Sequence, residues 1–350
     1  MDRTCFELIS KLSNDNTLTF DEFVYLIDNR SPELASFIAA KARKAAQKYY
    51  GTNIYVRGLI EISNYCKNDC FYCGIRRGNF DAERYRLSPD EILQCCKTGY
   101  ELGLRTFVLQ GGEDEAFTDK IIVDIITQIK SLYPDCAVTL SLGEKPYSSY
   151  LAFYRAGADR YLLRHETADE THFSRLHPST YSVESRMQCL SYLKQIGYQV
   201  GSGFMVGSPF QSSKNIASDL LYLKELSPQM VGIGPFIPHH DTPFANFKPG
   251  TAELTTYLIS IIRLMLPNAL IPATTALGTI DEKGRESAIT AGANVVMPNL
   301  TPEDCMRKYA IYDNKITDAD NASKVISELK TKFSKIDYNI VVDRGDCAEA

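Results

Sequence analysis

Short apolar runs alternate with helical patterns along most of the chain. Eight runs have the length and the β-branched or aromatic content of buried strands. They are residues 54–62, 104–110, 137–142, 160–164, 199–206, 230–235, 270–275 and 293–297. Between them, apolar residues recur at helical spacing, and several of these patterns end at a glycine, such as Gly103 or Gly157. Eight strand–helix units favour a parallel (β/α)8 TIM barrel over an open doubly wound sheet.

Helical patterns also flank the predicted barrel. Residues 21–28 and 32–49 predict two helices before it, the second rich in alanine and lysine. After the barrel, Thr301-Pro302 predicts a helix start, and a charged α/β segment follows. We therefore expect an N-terminal helical extension (1–50), the barrel (51–300) and a short C-terminal α/β extension (301–350).

Composition narrows the class of protein. The 350 residues are 44% hydrophobic, enough for one large or two medium domains, and the net charge of −5 gives no electrostatic case for binding nucleic acid or an anionic membrane. No apolar stretch approaches the roughly 18–20 residues that span a bilayer, and the N-terminus lacks a signal-peptide pattern. We expect a cytoplasmic protein whose ten cysteines are thiols or metal ligands rather than disulfides.

A cysteine triplet follows the first predicted strand. Cys66, Cys70 and Cys73 form a C-x3-C-x2-C pattern within eight residues. Three thiolates this close can hold three irons of a [4Fe-4S] cluster and leave the fourth iron open to a small molecule. A structural zinc site is the alternative, but it needs a fourth ligand nearby, and residues 74–78 offer none. The seven other cysteines are scattered, as expected of small buried apolar residues.

Polar residues cluster where the predicted strands end, which is where TIM barrels carry their active sites. The segment 110–113, Gln-Gly-Gly-Glu, follows the second strand, and glycines at 203 and 207 would let the backbone approach a flat ring closely. Arg160, Arg164 and Glu166 share one face of a strand. Three charges on a core strand are costly unless paired or ligand-bound. They form either a carboxylate site or a mutual ion pair.

Two further features are ambiguous from pattern alone. Arg186 lies near a predicted helix start and is either a clamp for a carboxylate or ribose, or a surface arginine. His239, His240 and Asp241 superficially resemble a metal site. Adjacent residues seldom bind one ion together, and the nearby prolines favour a rigid loop.

The triplet, with aromatic Tyr72 just before its last cysteine, resembles the signature of the radical S-adenosylmethionine (SAM) family. Further segments resemble the HydE family of [FeFe]-hydrogenase maturases, which is grouped with biotin synthase and the methylornithine synthase PylB. These segments are residues 73–77, 85–92, 108–114, 139–144, 157–168, 230–239 and 271–279. The resemblance covers roughly residues 50–315.

The resemblance implies two cofactors, one [4Fe-4S] cluster and SAM, and it implies three sets of site residues. The cluster ligands, which are the catalytic and metal-binding residues, would be Cys66, Cys70 and Cys73. The SAM contacts would be Tyr72, Glu113, Ser141, Glu166 and Arg186. The substrate cavity would be lined by Gln110, Thr139, Arg160, Arg164, Met230, Thr274, Thr275 and Tyr309.

The resemblance also implies a reaction. The enzyme would cleave SAM reductively to a 5'-deoxyadenosyl radical that acts on a small-molecule or organometallic substrate. In the HydE family this is a cysteine-bound Fe(CO)2CN synthon supplied by HydG, for the di-iron subcluster of the hydrogenase H-cluster. Transient contacts with HydG, HydF and an electron donor are implied.

One departure from the family bears on the alternatives. Some HydE proteins carry a second cysteine cluster after the region of Asn314, but residues 317–324 contain no cysteine here. We therefore expect a single cluster. A PylB-like methylornithine synthase (a lysine mutase) or another biotin-synthase-like enzyme stays open, and so does a non-catalytic cluster-binding or zinc protein.

Overall fold

The computed structural model describes residues 3–316 and 322–349. Its helices are α1 Arg3–Asp15, α2 Phe20–Asp28, α3 Pro32–Tyr50, α4 Pro89–Glu101, α5 Asp119–Leu132, α6 Tyr147–Ala156, α7 Glu170–Leu176, α8 Val183–Ile196, α9 Ser213–Leu226, α10 Ala252–Met265, α11 Thr275–Ile280, α12 Gly284–Thr290, α13 Glu303–Lys308 and α14 Ala322–Ser334. Its strands are β1 Asn53–Val56, β2 Gly58–Ser63, β3 Thr106–Gly111, β4 Ala137–Ser141, β5 Arg160–Leu162, β6 Gln199–Ser202, β7 Met205–Val206, β8 Met230–Val231, β9 Gly234–Pro235, β10 Val295–Val296 and β11 Asn339–Val341.

The parallel strands close into a barrel, which confirms the predicted fold class. Six strands pair in the order β2-β3-β4-β5-β6-β8. The segment around Leu270 closes the gap, because it bridges Met230 of β8 on one side and, through Pro272, Val295 of β10 on the other. β10 then pairs with β1, which runs directly into β2.

The prediction of a regular seventh strand over residues 270–275 is wrong. Pro272 has no N–H to donate to a ladder, so the segment makes only isolated bridges. Thr274 leaves the strand altogether, because its side chain caps α11 by accepting from the N–H of Leu277. The first predicted strand is divided at Arg57 into β1 and β2.

Two other predicted strands are each divided at a glycine. β6 and β7 are separated at Gly203, and β8 and β9 at Gly232. A Cβ atom on Gly203 would lie 2.0 Å from the carbonyl oxygen of Gly232, so this approach excludes a side chain. The close contact brings two loops together at the end of the barrel where the strands finish, which we call the mouth.

The helices cover the barrel with apolar faces at helical spacing. On α5, Ile122, Ile125, Ile126 and Ile129 are buried, and burial of each such side chain contributes about 1.5–3 kcal/mol. Of the N-terminal helices, α2 and α3 match the two that the sequence predicts, and α1 was missed. α3 packs against α10 on the barrel's outer layer. Within the described residues, no helix is both long and apolar enough to span a bilayer.

The C-terminal segment closes the opposite end of the barrel, which we call the floor. β11 pairs in parallel with β1. The chain then passes under the barrel, where the carbonyl oxygen of Arg344 accepts hydrogen bonds from Thr106 and Arg160. This segment is therefore integrated with the barrel.

Arg160 is placed differently from the expectation that it lines a substrate cavity. It lies at the start of β5, on the floor, and its side chain is completely buried. Its guanidinium forms an ion pair with Asp346 and also contacts Thr106 and Gln199. The guanidinium of Arg160 is therefore bound by protein groups of the floor.

Candidate active site

The loop that carries the triplet, residues 66–78 (the cluster loop), is held against the end of β3. Gly112 permits this contact, because a Cβ atom there would lie 2.2 Å from the carbonyl oxygen of Tyr65. The N–H of Lys67 donates to the carbonyl of Glu113 (2.9 Å), and the N–H of Glu113 points to the sulfur of Cys66 (3.4 Å). Backbone groups therefore fix the first cysteine of the loop.

The three cysteines are free thiols whose sulfur atoms are not close enough together to bind one metal ion jointly. Ligands of one tetrahedral zinc, with bonds of about 2.3 Å, lie about 3.8 Å apart. Cys66, Cys70 and Cys73 do not form a group in which all sulfur atoms are within 4.8 Å of one another among the described residues. Burial raises the pKa of Cys70 to about 12, so metal binding would displace its proton.

An arginine and two carboxylates surround the approach to the cysteines. Arg186, on α8, donates from Nε to Glu144 (2.6 Å) and from Nη1 to the carbonyl of Arg164 (2.6 Å). Burial lowers the pKa of Arg186, but the Glu144 charge outweighs it, and the net direction is upward. Glu113 is held by the N–H of Glu144 (2.9 Å) and by Lys67 (3.3 Å). This wall is rigid and strongly charged.

Several buried polar atoms along the barrel strands and their ends have no hydrogen-bond partner. They include Nε and Nη2 of Arg164, Oε2 of Glu166 and Oγ1 of Thr139. Arg164 and Glu166 approach to 3.1 Å without the alignment of a hydrogen bond. Glu166 also has a left-handed backbone (φ 66°), which is uncommon for a residue with a side chain. Because unsatisfied buried polar atoms are costly, these are the atoms best suited to contact a ligand.

Comparison with known proteins agrees with this geometry. The radical SAM superfamily matches residues 60–223. The [FeFe]-hydrogenase maturase subunit HydE of Thermotoga maritima is 48% identical over 275 residues, which are 79% of this chain and 78% of that protein. This chain belongs to the HydE family of radical SAM proteins. Its cofactors are accordingly a [4Fe-4S] cluster and SAM, and it is a radical SAM enzyme.

Two relatives of another kind are also similar to this HydE-family chain. The 3-methylornithine synthase of Methanosarcina barkeri is 30% identical over 314 residues, covering 88% of this chain and 87% of that protein. The crystal structure of methylornithine synthase PylB superposes with a TM-score of 0.83 at 26% identity, covering 95% of this chain and 97% of that chain. The barrel is therefore shared across both branches.

Five of the residues expected to line the substrate cavity of this HydE-family chain lie in three places. Gln110 and Tyr309 meet in the barrel, with Nε2 of Gln110 donating to the tyrosine oxygen at 3.4 Å. Thr274 and Thr275 lie at the start of α11, with the side chain of Thr274 engaged in capping. Met230 lies lower, where its sulfur contacts Nη1 of Arg57 at 3.0 Å.

Ser141 ends β4 and is half-buried, in register with Gln110 of β3. Glu144 and His177 were missed by the sequence interpretation as site residues. The motif around Gly143 gave a signal for Glu144, since it directly follows a strand end. No local pattern indicated His177. Its ring contacts the hydroxyl of Tyr72, which lies 105 residues away in sequence.

The histidine pair at 239–240 lies beside a cavity of about 460 Å³ outside the barrel. His239, His240 and Asp313 place possible ligand atoms within 4.8 Å of one another. However, the N–H of Asp241 donates to Nδ1 of His239 (3.1 Å), so the neutral ring carries its proton on Nε2, the atom that faces Asp313. A metal on Nε2 would require this proton to move to Nδ1 and the hydrogen bond from Asp241 to break, which favours the loop interpretation.

Proposed function

We propose that this HydE-family enzyme cleaves SAM reductively and acts in the assembly of the di-iron subcluster of [FeFe]-hydrogenase. The observation that carries the proposal is the 48% identity to the Thermotoga maritima maturase over most of both chains. The closed barrel and the free thiols at its mouth support it.

Each set of mouth residues has a defined task in this proposal. Cys66, Cys70 and Cys73 would bind three irons, and the bound cluster with SAM supplies a 5'-deoxyadenosyl radical. The amino acid part of SAM would be held by Arg186, Glu166 and Glu113, with Ser141 at the edge. Tyr72 would contact the adenine. The barrel wall excludes water from the reaction space.

For the substrate we propose the cysteine-bound Fe(CO)2CN synthon. Arg164 has two buried nitrogen atoms without hydrogen-bond partners, which suits a substrate carboxylate. Thr139, with its unpartnered hydroxyl, and the pair Gln110–Tyr309 provide polar contacts deeper in the barrel. The proposed partners are HydG as supplier, HydF downstream and a cytoplasmic electron donor.

A methylornithine synthase is the second candidate. It is favoured by the extent of the structural match, which covers 95% of this chain at a TM-score of 0.83. Both candidates would use the same cluster and SAM, so they differ only in the substrate bound inside the barrel.

The test begins with anaerobic reconstitution of the cluster, reduction with dithionite and addition of SAM. We expect 5'-deoxyadenosine from the native chain and none from the Cys70→Ala variant. The control variant Cys95→Ala changes a buried cysteine on α4 and should retain full activity. Absence of both an EPR signal from the cluster and SAM cleavage in the native chain would overturn the proposal.

The substrate is tested in two parallel assays. Addition of the enzyme to a hydrogenase maturation extract lacking HydE should restore hydrogenase activity. Incubation with lysine should give no 3-methylornithine. Formation of 3-methylornithine without restored hydrogenase activity would favour the second candidate.

A further inference from the structure

We propose that His177 is a positioning residue for the SAM site, because it holds the side chain of Tyr72 through the tyrosine hydroxyl. The inference rests on the proposed contact between Tyr72 and SAM. It adds a residue that lies outside the cysteine motif and on a different element of the barrel.

His177 follows α7, a short helix that is anchored independently of the cluster loop. Asp169 caps the helix by accepting from the N–H of His172 (2.7 Å). The ring of His172 contacts the carbonyl of Pro209 (3.0 Å), and buried Asp219 accepts from the N–H of Ala168. These contacts connect α7 and the residue before its cap to the loop after β7 and to α9, so the helix is anchored at several points.

The hydrogen-bond chemistry defines the direction of the contact. Nδ1 of His177 lies 3.0 Å from the carbonyl oxygen of Phe173, which can only accept, so Nδ1 carries the proton. Nε2 of the neutral ring is therefore an acceptor. It lies 3.2 Å from the hydroxyl of Tyr72, which must donate.

The imidazole is locked in this orientation. It is 1% exposed and stacks on the ring of Phe173, with 4.0 Å between centroids and 25° between planes. Burial, followed by the charge of Arg186, lowers the pKa of His177 to about 3, so the ring stays neutral in the physiological range.

The end of α7 contacts the cluster loop at a second point. The N–H of Phe71 donates to the carbonyl of Leu176 at 3.0 Å. The helix end thus fixes both residues between Cys70 and Cys73, one through its backbone and the other through its side chain. Without the imidazole, the Tyr72 ring would lose its fixed orientation, and ordering it on SAM binding would cost conformational entropy.

The experiment compares four variants of the reconstituted chain: Tyr72→Phe, His177→Leu, the double variant and His177→Gln. SAM affinity is measured anaerobically by titration calorimetry on the oxidised cluster, so that no turnover is needed. One neutral hydrogen bond corresponds to about a fivefold change in dissociation constant. We expect about that weakening in each of the first two, no further weakening in the double variant, and substantial rescue in His177→Gln, whose amide oxygen can accept.

The control variant is Tyr154→Phe, which removes a hydroxyl from a partly exposed tyrosine on α6 and should not change SAM affinity. Additive losses in the double variant, or native affinity in both Tyr72→Phe and His177→Leu, would overturn the positioning role. If the His177→Leu variant fails to take up iron, the test rests on the Tyr72→Phe and His177→Gln variants. A native SAM affinity in Tyr72→Phe would then refute the positioning role of His177. Failure of the native chain to bind SAM would instead refute the proposed function.

Discussion

Two arginines on one face of the same barrel segment have opposite surroundings. Arg160, at the floor, contacts Asp346, Thr106, Gln199 and a backbone carbonyl. Arg164, four residues towards the mouth, has two buried nitrogen atoms without hydrogen-bond partners. A buried cation with a full set of partners stabilises the fold, whereas one with free donors suits a ligand. From this difference we infer that Arg160 has a structural role and that Arg164 contacts a ligand.

The largest expected effect comes from removing the mouth arginine. Arg164→Leu deletes donors that make no aligned hydrogen bond and one ion pair with Glu166, so the free energy of unfolding should fall less than in Arg160→Leu. A hydrogen-bonded charge contributes roughly 1.5–3 kcal/mol to binding, so substrate-dependent turnover should decrease by about ten- to a hundredfold. Maturation assays and chemical denaturation measure the two quantities.

The matched variant Arg160→Leu should show the reverse, with lower stability and near-native turnover per folded enzyme. Loss of turnover at unchanged stability in Arg160→Leu would mean that the floor arginine also reaches the substrate. The contrast between the two ends would then be wrong.

The second largest effect is expected from removing Asp346, the acidic partner of Arg160 at the floor. Asp346→Ala leaves the buried guanidinium of Arg160 without its carboxylate. Breaking a buried pair costs about 3–5 kcal/mol, and the partial exposure of Asp346 reduces our expectation to about 2 kcal/mol. Denaturant titration of the apo chain measures the loss, and Glu349→Ala, on the same segment but exposed, is the control.

Acid should weaken the floor in a narrow pH range. Burial raises the pKa of Asp346, but Arg344 and Arg160 outweigh burial and lower it from 3.8 to about 2. The stabilisation is complete above about pH 4 and is lost as the pH falls to about 2. Because Asp346 is partly exposed, we expect a contribution of about 1 kcal/mol. Thermal melting of the native chain and of Asp346→Asn should converge near pH 2, and parallel curves would contradict the assignment.

The smallest expected effect concerns Cys347, whose thiol lies 3.0 Å from the carbonyl of Asn268 at the floor. Cys347→Ala should lower stability by about 0.5–1 kcal/mol. Iron content after reconstitution should stay the same, because this cysteine belongs to the floor. A loss of iron in this variant would show that the floor also holds metal.

Much of the fold was predictable from local pattern. The apolar spacing alone predicts helices over residues 119–132 and 183–196, and α5 and α8 have these bounds. The sequence Ser88-Pro89-Asp90-Glu91 predicts a helix start, and in α4 Ser88 and Glu91 form a capping box with Pro89 in the first turn. The interrupted strands were harder, since Gly203 and Pro272 act through contacts with neighbouring strands.

Candidate site residues could be named from the sequence where motif and strand end coincide, as at Cys66 and Glu113. The contrast between Arg160 and Arg164 could not be predicted. The alternation of side chains along a strand places both on one face, but it does not indicate which groups each one contacts. Asp346 lies 186 residues from Arg160, and His177 lies 105 residues from Tyr72. Such long-range pairs leave no signature in a single local segment.

The closed floor has a kinetic consequence. A barrel sealed at one end leaves the mouth as the common route for both substrates. With SAM bound across that mouth, as proposed, the inner substrate would have to enter first, and its product would have to wait until the fragments of SAM dissociate. We therefore expect compulsory-order kinetics, in which SAM bound too early forms a dead-end complex and inhibits at high concentration.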